Sequence, residues 1–265
     1  MTDIKLSKSK LLEYNICPRM FYFRHFTTYG KMRKQSSLQL ERGSILHEIY
    51  EAYNTNMDKY IEYCNSDFVK SDPEYVKNIE GFEYLLQVYN LPPALYAEEK
   101  MEDYEWNFSG YIDAIYKMDA GTTTIDVIKG VEIEETITED EYWVIDYKTG
   151  KFHPNKNADY MMELYIYEKL ANDFLNQKHQ TENVQYVARI GMLFTSQPEV
   201  RFVKKVKKAD RTRSMKRANV IIEKIRNDEF SKVGTICRWC SFAGICDEYS
   251  DDVLDGLDDH VIMVV

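Results

Sequence analysis

Apolar residues fall in two rhythms along this chain. Helical spacing dominates the two ends, and short apolar runs broken by single charges dominate the middle. Residues 6–23 predict a short capped helix, with Ser7 or Ser9 as N-cap, that stops near Cys17-Pro18. A second short helix rich in aromatic residues follows, and residues 27–37, with Lys31, Arg33 and Lys34, read as a loop. Leu40, Gly43, Leu46, His47 and Tyr50 keep a helical period over residues 38–53. Residues 54–95 are mixed, apart from a helix over 75–89 that Pro92-Pro93 ends. Strands are predicted at 94–104, 110–116 and 122–128, with a turn at Met118-Asp119-Ala120-Gly121. The run Tyr142-Trp143-Val144-Ile145-Asp146-Tyr147-Lys148-Thr149-Gly150 is the strongest strand signal. An amphipathic helix over 159–172 then leads by a right-handed crossover to a strand at 184–194, and a last helix covers 214–230. The pattern is α/β.

Charge inside the central strands changes the picture. Strand side chains alternate, so Asp146 and Lys148 share one face while Ile145 and Tyr147 share the other. A carboxylate and a lysine are costly to bury without partners. Asp113 sits in a second apolar strand, Gly110-Tyr111-Ile112-Asp113. Two carboxylates from neighbouring strands can hold Mg²⁺ or Mn²⁺. Such an ion generates hydroxide for attack on phosphorus, and Lys148 would orient the attacking water. The plain alternative is a structural ion pair. His47 has a plain reading too, as a satisfied core histidine, and Gly43 one turn earlier permits close approach by another element.

Composition narrows the class. The chain has 265 residues, 44% of them hydrophobic and 14% aromatic, which suffices for one large domain with appendages. It has no apolar run of about 18 residues and no apolar leader after Met1, so no membrane span and a cytoplasmic location are expected. The net charge of −10 argues against general adhesion to nucleic acid. Positive charge is nevertheless concentrated at residues 201–217, where Lys204, Lys205, Lys207 and Lys208 suit a phosphate-backbone track. Glu132, Glu134, Glu135, Glu139, Asp140 and Glu141 read as a solvated hairpin or loop. Cys237-x2-Cys240-x5-Cys246 is a ligand pattern short of one ligand, and Cys17 can supply the fourth. Zinc and a [4Fe–4S] cluster both take four thiolates. Residues 251–265, acidic then apolar, are a tail, either a flexible end or a docking peptide.

In this order the motifs resemble the RecB-like branch of the PD-(D/E)XK nucleases, in the subgroup with an iron–sulfur cluster that includes CRISPR adaptation nucleases and the AddB nuclease domain. The pieces that carry the resemblance are Tyr14-x-x-Cys17-Pro18, Gly43-x-x-x-His47, Gly110-Tyr111-Ile112-Asp113, Ile145-Asp146-Tyr147-Lys148-Thr149-Gly150 and the closing cysteines. The resemblance implies a restriction-endonuclease-like core over residues 1–250, a mixed sheet flanked by helices, its terminal segments joined at the cluster. It implies that His47, Asp113, Asp146 and the Tyr147 carbonyl bind Mg²⁺ or Mn²⁺, and that Lys148 positions the water. Cys17, Cys237, Cys240 and Cys246 would hold [4Fe–4S]. The family's upstream glutamate is Glu98 or Glu99. Its Gln-x-x-x-Tyr pair falls on Met161 and Tyr165, so the glutamine is missing and Tyr165 is the expected DNA contact. The implied activity is a DNA exonuclease on single-stranded ends, in recombination, repair or CRISPR-like processing. A helicase, recombinase or integrase-like partner, or a homo-oligomer, would accompany it. The rival is a catalytically weak adaptor of the same fold.

Overall fold

The computed structural model describes residues 4–31, 38–128, 131–233 and 237–246. In chain order the elements are α1 (Lys8–Ile16), α2 (Pro18–Phe26), α3 (Leu38–Thr55), α4 (Met57–Asn65), α5 (Asp67–Lys70), α6 (Pro73–Val88), β1 (Tyr96–Asp103) and β2 (Phe108–Met118). There follow β3 (Thr123–Ile128), β4 (Val131–Thr136), β5 (Glu141–Lys148), α7 (Asn157–His179), β6 (Val187–Phe194), β7 (Arg201–Lys205), α8 (Lys208–Arg226) and α9 (Ala243–Cys246). The tail at 251–265 and part of the loop at 27–37 lie outside the described residues.

Two compact units divide the chain: Ser36–Arg217, and Met1–Gln35 with Ala218–Val265. In the larger unit five strands form one mixed sheet, ordered β1-β2-β5-β6-β7, and β3 pairs with β4 in a separate hairpin. Only β5 and β6 run parallel within that sheet. A parallel pair needs a long crossover, and α7 supplies it. The alternation of β5 decides what covers each face. Trp143, Ile145 and Tyr147 join Leu46, Ile49 and Tyr50 of α3 and Phe82 and Leu85 of α6 in one core. Lys148 points the other way and meets Glu163 of α7.

Local signals explain most boundaries. The Ser7 hydroxyl accepts a hydrogen bond from the Lys10 amide at 3.4 Å, so Ser7 caps α1. Pro18 opens α2, where its missing N–H costs nothing. Two helices went unpredicted, α4 and α5; both are short, and each buries a single residue, Tyr60 and Val69. Their caps, Asn56 and Ser66, were the legible signal. The start of the basic stretch is the strand β7, and α8 begins at Lys208, earlier than residue 214.

Gly81 holds α6 against the end of β6. A Cβ there would fall on the main-chain carbonyl of Thr195, whose own amide donates to the Lys148 carbonyl at 2.9 Å. Gly81→Ala should therefore destabilise the larger unit by about 1–3 kcal/mol, the usual cost of overpacking against backbone. A lowered urea midpoint at unchanged slope would show it. No change would mean that α6 slides without cost.

The smaller unit draws both chain ends into one core. Phe230 lies among Tyr14, Phe21, Tyr22 and Phe26, at 5.1–6.3 Å between ring centroids. Arg19 donates through Nε to the Phe230 carbonyl at 2.8 Å, and the Tyr14 hydroxyl donates to the Glu229 carbonyl. Phe23 stacks on Phe242 at 5.7 Å.

Candidate active site

Strand register builds the site. Pairs Ala97–Ala114 and Glu99–Ile112 flank the rung at which Glu98 faces Asp113. Glu98 takes φ of 49°, in the left-handed region that glutamate seldom enters. That backbone costs about 1–3 kcal/mol and breaks the ladder at this rung. On the other side, the pairing of β2 with β5 reaches Ala114–Ile145, one rung short of Asp113 and Asp146. Instead, Asp113 Oδ2 accepts the Tyr147 amide at 2.6 Å. A residue's N–H and C=O leave a strand on the same edge, so the Tyr147 carbonyl opens toward Asp113 as well.

His47 reaches this break from α3. Its Nδ1 lies 3.5 Å from Glu98 and 3.6 Å from Asp113. Among the described residues, His47, Glu98 and Asp113 are the trio whose ligand atoms all lie within 4.8 Å of one another. The register thus selects Glu98 over Glu99, a choice that sequence pattern leaves open. Gly43 lies one turn before His47, and a Cβ there would just touch Thr149 Oγ1 at 3.5 Å. A cleft of about 480 Å³ opens here, with Leu40, Gly43, His47, Glu98, Asp113 and Thr149 in its wall. Burial pushes the His47 imidazole down, but Asp113, the bond to Glu98 and the charge of Asp146 outweigh it. The net shift is upward, because the surrounding carboxylates favour the protonated ring.

Asp146 is 1% exposed and Lys148 25%. Their ion pair is 2.7 Å long. Glu163, 3% exposed, takes the same ammonium at 2.6 Å. Sequence reading missed Glu163, which looked like one polar position on an amphipathic helix. The structure also corrects the placement of the helical pair. Glu163 reaches the lysine, and Tyr167, four residues on, lies over Gly110. Helical phase puts 163 and 167 on the sheet side together, so Met161 is not the position facing Lys148.

Tyr165 does not face the cleft. It is fully buried, and its hydroxyl accepts the Lys207 amide at 3.2 Å. It supports the basic segment from behind and has no surface to offer DNA. The basic stretch is also less free than its composition suggests. Lys204 pairs with Asp210 at 3.0 Å, Lys205 with Glu135 at 2.9 Å, Arg211 with Glu168 at 2.6 Å and Arg217 with Asp159 at 2.5 Å. Lys207, Lys208, Arg213 and Lys216 are exposed. The acidic stretch likewise is only partly a solvated hairpin. Glu135 and Glu141 both bind Arg189, which lies over Trp143. Those bonds hold the Glu135 carboxyl down at about 2, against some burial.

All four expected cluster cysteines belong to the smaller unit and none forms a disulfide. Cys17 is buried at the junction of α1 and α2. The Cys240 amide donates to the Cys237 carbonyl at 3.1 Å, closing a tight turn between the two cysteines. The Arg24 guanidinium of α2 lies 5.7 Å over the Phe242 ring, and burial there pushes its pKa down.

The profile of the PD-(D/E)XK nuclease superfamily matches residues 5–247. No curated protein matches the chain. Among solved structures, a candidate exonuclease from Eubacterium rectale is similar to it, with a TM-score of 0.51 at 8% identity, covering 96% of this chain and 94% of that one. At that identity the likeness is one of fold. No helix among the described residues is long and apolar enough to cross a membrane.

Proposed function

This chain belongs to the PD-(D/E)XK nuclease superfamily, and from that premise we propose that it is a divalent-metal-dependent DNA exonuclease acting on single-stranded ends. One observation carries the reading: His47, Glu98 and Asp113 converge where the sheet ladder breaks, beside the Asp146–Lys148 pair. The donors fit the ion. Carboxylate oxygens with one imidazole nitrogen suit Mg²⁺ or Mn²⁺. His47, Glu98, Asp113, Asp146 and the Tyr147 carbonyl would hold it. When bound, the ion supplies an acidified water and charge for the developing phosphoryl oxygens. The chain's own residues do the rest. Lys148 orients the attacking water and offsets negative charge at phosphorus. Asp113, fixed by the Tyr147 amide, keeps β2 and β5 in register at the reacting end. Lys207 and Lys208 receive backbone phosphates, with Lys204 and Lys205 joining if their carboxylate partners release them. The similar fold of the Eubacterium rectale protein supports the exonuclease assignment.

We also infer that Cys17, Cys237, Cys240 and Cys246 hold a structural [4Fe–4S] cluster. What supports it is that the four thiols come from both chain ends into one compact unit. Iron and sulfide should be found together in anaerobically purified protein. Stoichiometric zinc without sulfide would overturn the cluster.

The activity is tested with end-labelled linear single-stranded DNA beside a closed single-stranded circle, with Mg²⁺ or Mn²⁺ and with chelator. Metal-dependent loss of the linear strand alone is expected. Cleavage of the circle would make the enzyme an endonuclease, and no cleavage of either would overturn the nuclease reading.

A further inference from the structure

Lys148 closes β5 two residues after Asp146, and its environment is unusual. A lysine side chain has four rotatable carbons and about 2 kcal/mol of rotamer entropy, so one ion pair rarely fixes it. Here the ammonium bridges two carboxylates on two elements. Asp146 of β5 binds it at 2.7 Å and Glu163 of α7 at 2.6 Å. Both carboxylates are almost fully buried, so solvent does little to screen either bond. Asp146 belongs to the proposed ion site, and an ion there would draw its oxygens away from the lysine. Glu163 lies on α7, outside the His47–Glu98–Asp113 trio. It is therefore the partner whose grip on Lys148 does not depend on the ion.

The helix that carries it is well anchored. Two residues on, the Tyr165 hydroxyl is bonded to the Lys207 main chain. One turn further, Glu168 is held by Arg211, Asn172 and Gln185, with bonds of 2.6–3.0 Å. Glu163 thus projects from a fixed support rather than from a loop.

Resting on the nuclease reading above, we propose that Glu163 is a positioning residue, whose carboxylate holds the Lys148 ammonium at the reacting end of β5 throughout turnover. Its charge is the operative feature. Glu163→Gln keeps the shape and an acceptor oxygen but gives up the ion pair. It should lower kcat by about 10- to 100-fold, the usual loss when an outer-shell support is removed. KM for DNA should stay level or fall, because the change removes a negative charge from a site that binds a polyanion. A residue needed only for folding would lower the melting temperature without splitting kcat from KM.

The test is a double-mutant cycle with Lys148→Met, joined to a measurement that needs no cleavage. If Glu163 acts through Lys148, Glu163→Gln should add less than twofold to the loss in the Lys148→Met background. Independent, multiplying losses would overturn the proposal. In parallel, ¹⁵N-lysine spectra should show a slowly exchanging ammonium signal that vanishes in Lys148→Met and broadens in Glu163→Gln. A signal untouched by Glu163→Gln would overturn it as well. The spectra decide the positioning role even if the wild type cleaves nothing, a result that would fall on the nuclease reading alone.

Discussion

Asp146→Asn should cut the cleavage rate by at least about 10²–10³-fold, the scale on which a removed charge-stabilising group acts. Asp113→Asn should do the same. Asparagine keeps volume and hydrogen-bonding shape, so packing changes little. What disappears is one negative charge from a group of carboxylates that includes Glu98 and shares one break in the sheet. Without an ion these like charges repel, and burial adds a further cost for Asp146, which is 1% exposed. Asp146→Asn also gives up its ion pair with Lys148, which opposes the relief of that repulsion, so the informative comparison is each protein with and without the ion. At 100 times its dissociation constant a ligand adds about 2.7 kcal/mol to the folded state. Wild-type protein should gain melting temperature with Mn²⁺, and Asp146→Asn should gain almost none. Unchanged cleavage by either variant would remove the assigned site. Lost cleavage with a retained Mn²⁺ shift would leave the ion elsewhere.

The contrast between Asp146 and Glu98 shows how much of this site a sequence carries. Asp146 and Lys148 are legible because two charges at period two inside an apolar strand have no cheap structural explanation. Asp113 is legible as a lone carboxylate inside a second apolar run. Glu98 and Glu99 are adjacent, and alternation alone cannot tell which faces Asp113. The choice depends on the register of β1 on β2, a long-range pairing, and on a backbone twist at Glu98. Glu163 is harder still. On its own helix it is an acid among apolar residues, and only the crossover that lays α7 on β5 gives it a lysine. The basic stretch shows the opposite difficulty. Composition counts charges, whereas Asp210, Glu135, Glu168 and Asp159 come from distant positions and neutralise several of them. The strands β2, β5 and β6 and the α7 crossover followed from local periodicity, and what local pattern could not supply was the partner across space.

Cys17→Ser should have the second large effect, and it should be confined to the smaller unit. That unit joins segments some two hundred residues apart in sequence, Met1–Gln35 and Ala218–Val265. Beyond the end of α8, its C-terminal segment has little regular structure among the described residues: the three residues Cys237–Trp239 and the four of α9. Helices this short do not persist alone, since nucleation costs more than a single turn returns. The aromatic cluster around Phe230 secures α1 and α2 to the end of α8, and beyond it Phe242 meets the N-terminal helices through Phe23 and Arg24. A four-thiolate cluster would supply the missing stability, because metal-binding energy in such a unit is folding energy of several kcal/mol. Serine at Cys17 is nearly isosteric and removes one ligand. Iron content should fall in step with sulfide. Limited proteolysis should then cut within Ala218–Val265 while a fragment close to Ser36–Arg217 survives. Full protease resistance in Cys17→Ser would mean that packing alone holds the terminal unit, and that the cysteines have another use.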